Sequence, residues 1–134
     1  MNTSEQLKQF FSSSQYGVVG ASNRRHKFGN KVLRCYLQNK MIATPVHPTE
    51  KQIEGIDCFS AVSDLPEEVS SISIITPPQV TEMIVEQAVA KGITNIWMQP
   101  GAESAEAVRF CLAKEINLIY GGTCLLVVLG FFDH

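Results

Sequence analysis

A glycine-rich segment near the N-terminus has the spacing of a loop that could hold a phosphate group. Gly17, Gly20, Ser22 and Gly29 form the arrangement G-x-x-G-x-S-x6-G, between an apolar run and a segment of helical periodicity. Glycines let the backbone turn sharply and approach a ligand closely, and N–H groups at a helix N-terminus attract anions. The pattern is short, so it is equally compatible with glycines that serve only a tight turn and close helix–strand packing.

Basic residues follow the glycines at once. Arg24, Arg25, His26 and Lys27 stand in a row in a chain whose net charge is -2. Arginine and lysine form charge-assisted hydrogen bonds with phosphate, although most charge runs are simply solvated surface loops. Because the rest of the chain is slightly acidic, the local cluster favours a phosphate site, and we expect Arg24, Arg25 and Lys27 to contribute to it.

Candidates for catalysis are few. His47 falls at a predicted strand end, but no carboxylate pair or Ser-His-Asp order can be identified from the spacing. Cys124 follows two glycines and a threonine, and a packed, unreactive thiol is the favoured interpretation because free cysteine is often buried. The four cysteines match no zinc motif. The residues therefore indicate a binding protein with no assigned catalytic or metal site, and they leave an enzyme open.

The elements that must position these residues alternate in type. Short apolar runs alternate with helix-period segments, which predicts an α/β domain over residues 1–134, with a three-layer Rossmann-like fold. Its parallel sheet has five to six strands with helices on both faces. Strands are expected over 16–20, 42–46, 72–76, 95–98 and 117–120, and helices over 28–39, 79–91 and 104–114. An edge strand near 53–59 and a short helix starting near Leu65 complete the prediction. Val80, Met83, Ile84 and Ala88 are expected to face inward, with Val85 as a further candidate.

This topology predicts where a ligand lies. In open parallel sheets, ligands bind beyond the carboxyl ends of the strands, where the strand order reverses. Small, hydroxyl or proline residues end four of the predicted strands, and these are the candidate binding residues: Gly20, Ala21, Ser22, Val46, His47, Pro48, Thr76, Pro77, Pro78, Gln99, Pro100 and Gly101.

The pattern departs from that of an NAD site. Such sites usually combine G-x-G-x-x-G with an acidic residue at the end of the second strand. Here the glycine spacing differs, and Glu50 is displaced beyond Pro48. NAD is therefore disfavoured, whereas NADP could still use the basic residues, so an NAD(P)-linked oxidoreductase stays open as an alternative.

Composition excludes several classes of partner. The hydrophobic fraction is 45% and the charged fraction 18%, as in globular proteins. The slight negative charge predicts no attraction to nucleic acid or anionic membranes. The longest apolar run, residues 124–129, is far shorter than the roughly 20 residues of a transmembrane helix. Residues 1–11 lack the pattern of a signal peptide. We therefore expect a cytoplasmic protein with reduced cysteines.

Several short motifs, taken in order, resemble one family. They are Val18-Val19-Gly20-Ala21-Ser22 with Lys27 and Gly29, Pro45-Val46-His47-Pro48, Ile53-Glu54-Gly55, Leu65-Pro66, Thr76-Pro77-Pro78 and Trp97-Met98-Gln99-Pro100-Gly101. The chain resembles the stand-alone CoA-binding domain proteins, which are similar to the N-terminal domain of the succinyl-CoA synthetase alpha subunit. The resemblance extends from about residue 16 to about residue 129. Two departures stand out: the family typically has Asn where His47 stands, and its C-terminal Cys lies in a different local run.

The resemblance implies non-catalytic binding of coenzyme A or an acyl-CoA. It places the diphosphate against the glycine loop (Gly20, Ala21, Ser22, Lys27, Gly29), the adenosine against Val46, His47 and Pro48, and the remaining cleft against Thr76, Pro77, Pro78, Gln99, Pro100 and Gly101. A homodimer and an enzyme partner are both compatible with it. Two alternatives stay open: an enzyme, NAD(P)-linked or thiol-dependent through Cys124, and a degenerate nucleotide fold used only for protein association.

Overall fold

The computed structural model describes residues 1–133, which form five α-helices and seven β-strands. The helices are α1 (Thr3–Phe10), α2 (Phe28–Gln38), α3 (Pro78–Lys91), α4 (Ala105–Ala113) and α5 (Leu125–Leu129). The strands are β1 (Gln15–Val19), β2 (Ala43–Val46), β3 (Gln52–Ile53), β4 (Ile56–Asp57), β5 (Val69–Ile74), β6 (Asn95–Met98) and β7 (Asn117–Ile119). Within residues 1–133, no helix has the length and apolar character needed to cross a membrane.

Five strands form one parallel sheet in the order β2-β1-β5-β6-β7. Val19, the last residue of β1, is in register with Val46 of β2 and Ile74 of β5. The chain runs outward from β1 to β2 and then returns to the other side of β1, so the strand order reverses between β1 and β5. The predicted three-layer Rossmann-like fold is confirmed, with five strands. The edge at which folds of this kind generally bind ligands lies at the ends of these two strands.

Apolar side chains cover both faces of the sheet. Trp97, Phe10 and Tyr36 are fully buried on the face that packs against α1, α2 and α5. Ile74 and Val85 are fully buried on the opposite face, beneath α3, α4 and a single 3-10 turn at Val62–Asp64. The expectation that Trp97 belongs to the core is confirmed. Burial of these apolar side chains therefore holds helices on both faces of the sheet. The connecting loops lie at the edge formed by the carboxyl ends of the strands.

Two helices have no counterpart in the sequence prediction, α1 and α5. Helix α1 begins with a capping box, in which Asn2 and Glu5 bond to each other's backbone N–H groups. This motif is readable in a sequence, because Asn or Ser three residues before Glu marks a helix start. Helix α1 then covers the exposed edge of β7: Gln6 Nε2 donates to the Leu118 carbonyl, and Asn117 Nδ2 donates to the Gln6 carbonyl.

The segment between β2 and β5 differs from the prediction. The expected turn and edge strand are confirmed only in part: Phe59 forms a single parallel bridge with Val46 beside β2. The residues before it form a separate antiparallel hairpin, β3–β4, that turns at Glu54 and Gly55. The expected helix near Leu65 is wrong. Leu65 is extended, with φ -61° and ψ 148°, and the 3-10 turn ends before it. The physical reason is Pro66, because the residue before a proline is driven out of the helical region.

The inward face of α3 also differs from the prediction. Thr81, Val85 and Ala88 are the buried residues of this helix. Ala88 is therefore predicted correctly, but Met83 is 56% exposed and Val80 is 36% exposed. Apolar residues lie on both sides of α3, so periodicity alone could not identify the face that meets the sheet.

Candidate functional site

The β1–α2 connection brings backbone into contact with backbone, so that neither of two glycines could carry a side chain. A Cβ atom on Gly29 would lie 2.0 Å from the carbonyl oxygen of Gly20. A Cβ on Gly20 would lie 2.2 Å from the carbonyl oxygen of Ile75, and Gly20 has φ +96° besides. We call residues 20–29 the glycine cradle. Close packing is thus one role of these glycines, and it also presses the N-terminus of α2 against the end of β1.

The N-terminus of α2 leaves backbone donors available. Its N-cap residue, Lys27, has no side-chain oxygen that could accept a hydrogen bond, and the first turn contains no acidic residue. The first three N–H groups of a helix have no acceptor within the helix itself, and they form its positive end. Helix α4, at the same edge, is different, because Ser104 Oγ accepts from the N–H of Ala107. The N-terminus of α2 is therefore suited to an anion.

Carboxylates of the β3–β4 region brace the outer side of the glycine cradle. Glu54 Oε1 accepts from Arg25 Nη1 at 2.7 Å. Glu50 Oε2 accepts from Asn23 Nδ2, also at 2.7 Å. Arg24 and Lys27 are exposed on the same loop. The basic cluster is thus divided: Arg25 is engaged by the hairpin, whereas Arg24 and Lys27 extend the positive charge of the loop surface.

A buried polar network supports the cradle from behind. Asn30 Nδ2 donates to the Ser22 carbonyl at 2.8 Å and to Glu54 Oε2 at 3.1 Å. Arg34 Nε donates to Asn30 Oδ1 at 2.6 Å, and Arg34 Nη2 donates to the Arg25 carbonyl at 2.7 Å. Sequence analysis missed both Asn30 and Arg34. Their spacing of four residues places them on one face of a helix, which is the signal that could have linked them.

His47, at the end of β2, uses its side chain to hold the following turn. Its Nδ1 atom accepts from the N–H groups of Thr49 at 3.1 Å and Glu50 at 3.0 Å. A neutral imidazole that accepts at Nδ1 carries its proton on Nε2. An asparagine side-chain oxygen makes the same kind of bond to the backbone two residues on. Histidine here therefore retains the acceptor role of the asparagine that the resemblance leads one to expect.

A cleft of about 330 Å³ opens beside Gly20, at the ends of β1, β2 and β5. We call it the rim cleft. It brings together five predicted site residues, Gly20, Val46, His47, Pro48 and Thr76. Its other walls were not predicted: they are Val19, Ser60, Ala61, Val80, Met83, Ile84 and Gln87. Two of these, Val80 and Met83, were expected in the core, and α3 turns them toward the cleft instead. Ile84, also expected in the core, is partly buried against it and lines the cleft as well.

The β5–α3 connection offers few donors. Pro77 is the N-cap of α3 and Pro78 occupies its first turn, and neither residue has an N–H group. Thr76 Oγ1 is 2.7 Å from Thr81 Oγ1, a hydroxyl–hydroxyl bond that closes the connection. This side of the rim cleft is therefore suited to apolar contacts, in contrast to the N-terminus of α2.

The β6–α4 connection holds the remaining predicted residues, and none of them lines the rim cleft. Gln99 is fully buried, and its Oε1 accepts from the N–H of Leu125 at 2.9 Å, which ties β6 to α5. Pro100 and Gly101 are exposed, and Gly101 has φ +93°. A ligand contact by Gln99, Pro100 or Gly101 stays a prediction.

An open groove of about 530 Å³ lies on the other side of His47 and Pro48. Its walls include three carboxylates and one lysine, so acidic groups predominate: Glu50, Asp57, Asp64 and Lys51. Like charges at close range repel, so this groove is unfavourable for a polyphosphate. The rim cleft is therefore the better candidate for a phosphate-bearing ligand.

The buried cysteines are poor nucleophiles. Burial raises the pKa of Cys35 to about 11, and also raises that of Cys111 to about 11. The thiolate is the reactive form, so both side chains are thiols at neutral pH. Among residues 1–133, no group of three or more His, Cys, Asp or Glu side chains is arranged to hold a metal ion. The described chemistry of the site is that of backbone donors, basic side chains and an apolar cleft.

Comparison with known proteins relates the chain to CoA-binding proteins. The family described as CoA binding domain matches residues 14–130. An ADP-forming acetate–CoA ligase II alpha subunit from Pyrococcus furiosus is 28% identical over 93 residues, which are 67% of this chain and 20% of that protein. An ADP-forming acetate–CoA ligase from Methanocaldococcus jannaschii is 25% identical over 127 residues, 90% of this chain and 18% of that protein. The chain thus spans about a fifth of the length of these relatives.

Solved structures share the fold. A conserved hypothetical protein from Pyrococcus furiosus has a TM-score of 0.82 and 35% identity, with 85% of this chain and 97% of that chain covered. An apo dinucleotide-forming acetyl-coenzyme A synthetase 1 from Ca. Korarchaeum cryptofilum has a TM-score of 0.71 and 23% identity, with 84% of this chain and 27% of that chain covered. The second likeness concerns the fold alone.

Proposed function

Because the chain belongs to the CoA-binding domain family, we propose that it binds coenzyme A or an acyl-CoA at the glycine cradle and rim cleft. The observation that carries the proposal is the position of Gly20. This residue is part of the glycine cradle, where its carbonyl meets Gly29, and it is also part of the wall of the rim cleft. A site for charged groups and a site for apolar groups therefore meet at one residue.

Coenzyme A has the matching chemistry, since its diphosphate lies between an adenosine and a pantetheine arm whose methyl and methylene groups can pack against apolar walls. The N–H groups at the start of α2 would bind the diphosphate, and Arg24 and Lys27 would neutralise its charge. The rim cleft, at about 330 Å³, lies near the lower end of the roughly 300 to 1,000 Å³ range of ligand pockets. It would hold one part of the ligand and leave the rest along the rim.

The two sides of the rim cleft suggest separate contacts. Val46, His47 and Pro48, at the end of β2, would border the adenosine. Thr76, Pro77 and Pro78 would border the remaining part of the ligand. The apolar side chains with which α3 lines the rim cleft, Val80, Met83 and Ile84, would border it as well. Aliphatic walls of this kind contribute by burial of apolar surface, at about 25 cal/mol per Å².

The proposed role is binding without catalysis. The described site contains basic groups, backbone donors and apolar walls, and the two most deeply buried thiols are protonated at neutral pH. In this proposal, chemistry on the bound acyl group is supplied by a partner enzyme or a second subunit. The chain corresponds to only about a fifth of its ligase relatives, which makes such a partner part of the proposal.

The test is a thermal-shift and calorimetric titration with CoA, dephospho-CoA, acetyl-CoA, NAD and NADP. A ligand at 100 times its dissociation constant adds about 2.7 kcal/mol, which raises Tm by roughly 10 °C. We expect this shift with CoA, a smaller one with dephospho-CoA and none with NAD. A response to NAD or NADP in place of CoA would favour the oxidoreductase-like alternative. A flat response to all five ligands would overturn the proposal and favour a role in protein association.

Two variants separate the charged and apolar parts of the site. Lys27→Gln should weaken CoA binding and reduce its salt dependence, because a phosphate contact between exposed groups is screened by ions. Met83→Gln should weaken binding without changing the salt dependence. Lys91→Gln is the matched control. It removes the same charge, but from the last turn of α3 and not from the start of α2. If Lys27→Gln behaves like Lys91→Gln, the basic cluster does not belong to the site.

A further inference from the structure

Arg34 is a nearly buried charge whose role the proposed function leaves open. Its side chain is 6% exposed, on the face of α2 that points away from solvent. A buried arginine is costly unless its donors are all satisfied. Here three nitrogen atoms reach three acceptors: Nε to Asn30 Oδ1 at 2.6 Å, Nη2 to the Arg25 carbonyl at 2.7 Å, and Nη1 to Asp133 Oδ1 at 3.1 Å.

Two of these bonds hold carbonyl groups within the glycine cradle, directly or through Asn30. The Nη2 bond holds the Arg25 carbonyl directly. The Nε bond orients the Asn30 amide, whose Nδ2 then donates to the Ser22 carbonyl at 2.8 Å. One guanidinium and one amide, both buried, therefore fix the carbonyls of residues 22 and 25.

Fixing a carbonyl also fixes the next N–H group. The peptide unit is planar, and in a trans peptide the C=O and the following N–H point in opposite directions; residues 1–133 contain no cis peptide bond. With the Ser22 carbonyl held toward Asn30, the N–H of Asn23 points away from it. With the Arg25 carbonyl held toward Arg34, the N–H of His26 points away likewise. Both N–H groups are therefore directed away from the buried Asn30–Arg34 pair, and both belong to exposed residues.

The C-terminal segment contacts the third side of the guanidinium. The Phe131 ring lies 5.1 Å from Arg34 Cζ, and Asp133 also lies 3.7 Å from Lys31 Nζ. Hydrogen bonding and charge from Arg34, with a further contribution from Lys31, lower the pKa of Asp133. Asp133 itself is 56% exposed, so its ion pair is screened by solvent. The bonds to Arg25 and Asn30, which are sheltered, are the ones expected to determine loop geometry.

We propose that Arg34 is the positioning residue of the CoA site: through the Arg25 carbonyl and Asn30 it holds the glycine cradle loop in the conformation that turns backbone N–H groups toward the ligand phosphates. This inference deepens the proposed function and rests on it. Arg34 makes no contact with the ligand, and its contribution is to reduce the disorder that binding would otherwise have to remove.

The experiment compares Arg34→Met, Arg34→Lys and Asp133→Asn with the parent protein. Methionine keeps length and apolar packing but removes every donor, whereas lysine keeps the charge and loses the diverging fork. Asp133→Asn is the matched control, because it weakens the exposed ion pair and leaves the bonds to Arg25 and Asn30 in place. Backbone ¹⁵N relaxation on ligand-free protein measures loop order, and calorimetry measures CoA affinity, both well below the Tm of each variant.

In the parent and in Asp133→Asn, order parameters of residues 22–26 should be near 0.85, the value of rigid backbone. In Arg34→Met they should fall below about 0.6 while those of β1 and β5 stay unchanged. CoA affinity should fall on the order of tenfold, the effect of one charge-assisted hydrogen bond. Arg34→Lys should lie between the two, and it carries the test if Arg34→Met does not fold. Asp133→Asn should bind within about threefold of the parent, as expected for an exposed ion pair.

The failure of this inference can be told from failure of the proposed function. If the parent does not bind CoA, the proposed function fails, and the relaxation data on ligand-free protein still decide whether Arg34 orders the loop. A loop as ordered in Arg34→Met as in the parent would overturn the inference. So would a loss of order spread evenly over the sheet, which would mark a purely structural role. An Asp133→Asn variant as disordered as Arg34→Met would assign the role to the C-terminal segment.

Discussion

The connections after β1 and β5 lie side by side at one edge of the sheet, yet they are closed by different means. The β1–α2 connection is closed by backbone contact, because Gly29 leaves no room for a side chain against the Gly20 carbonyl. The β5–α3 connection is closed by a side-chain bond between Thr76 and Thr81, and by two prolines at the helix start. The two connections touch where Gly20 faces the Ile75 carbonyl.

This difference gives the two sides of the site different chemistry. The first connection keeps its backbone N–H groups, places Lys27 at the helix start and has no acid in the first turn. The second connection has lost two N–H groups to Pro77 and Pro78, and it presents the apolar residues Val80 and Met83 instead. A ligand that spans both should therefore have an anionic part and an apolar part. That is the physical basis for preferring coenzyme A to a simple phosphate or a purely apolar ligand.

The largest difference between the two connections is expected when the second residue of each following helix is changed to alanine. Gly29→Ala places a Cβ 2.0 Å from a backbone oxygen, so the start of α2 must shift, at a cost of about 3 kcal/mol and roughly 10 °C in Tm. Gln79→Ala, the same position in α3, should change stability by less than about 0.5 kcal/mol, because Gln79 is exposed. Thermal unfolding followed by circular dichroism measures both. Equal losses would show that the two connections do not differ in packing.

A second prediction concerns the buried faces of the two helices in alkali. Helix α2 buries Cys35, whose pKa rises from an ordinary 9.0 to about 11, mainly through burial. The buried residues of α3 are Thr81, Val85 and Ala88, none of them ionisable. Because the folded state favours the protonated thiol, this contribution to stability is fully present at pH values below the pKa of Cys35 in the unfolded chain, about 9. That contribution should be lost as the pH rises from about 9 through about 11, with a magnitude on the order of 2 kcal/mol.

Urea unfolding across this pH range tests the prediction, with Cys35→Ala as the comparison. The alanine variant should be less stable at neutral pH, because it leaves a small cavity, but its stability should decline less steeply above about pH 9. Parallel curves for the two proteins would show that the Cys35 thiol does not contribute to the alkaline transition.

The smallest effect should come from the bond that closes the β5–α3 connection. Thr81→Val removes the hydroxyl partner of Thr76 while keeping the shape of a fully buried side chain. The change also removes two longer bonds from Thr81 Oγ1, to the carbonyls of Thr76 at 3.4 Å and Pro77 at 3.3 Å. Because the bond to Thr76 Oγ1 is the short one and Thr76 can still reach solvent, the total cost should be about 1 kcal/mol. Differential scanning calorimetry should therefore record a Tm fall of about 3 °C. A loss as large as that of Gly29→Ala would mean that side-chain and backbone closure are equally critical.

Local patterns were sufficient to predict most of the sheet and one side of the site. Alternating apolar runs predicted all five strands of the parallel sheet and the helices α2, α3 and α4 within a few residues. Glycine spacing identified Gly20 and Gly29 because close approach of backbone excludes a Cβ, and only glycine lacks one. The strand-end rule identified Val46, His47 and Thr76, which line the rim cleft.

Contacts distant in sequence were not predictable in this way. Only Asn30, four residues earlier, is a local partner of Arg34. Its other partners, Arg25 nine residues earlier and Asp133 99 residues later, could not be identified from the sequence pattern. The hairpin carboxylate of Glu54 reaches Arg25 across 29 residues. Helix α5, of five residues, was not predicted; its start is joined to β6 through Gln99.

By itself, the sequence determined the order of the five sheet strands and of helices α2, α3 and α4, the positions that must be glycine, and the resemblance to CoA-binding proteins, because each depends on residues close together in the chain. The tertiary structure decided which face of α3 is buried, since apolar residues on both of its sides made either orientation compatible with the pattern. Packing against the sheet selected Thr81, Val85 and Ala88 for the interior. It thereby turned Val80 and Met83 toward Gly20 and made one wall of the rim cleft from residues expected in the core.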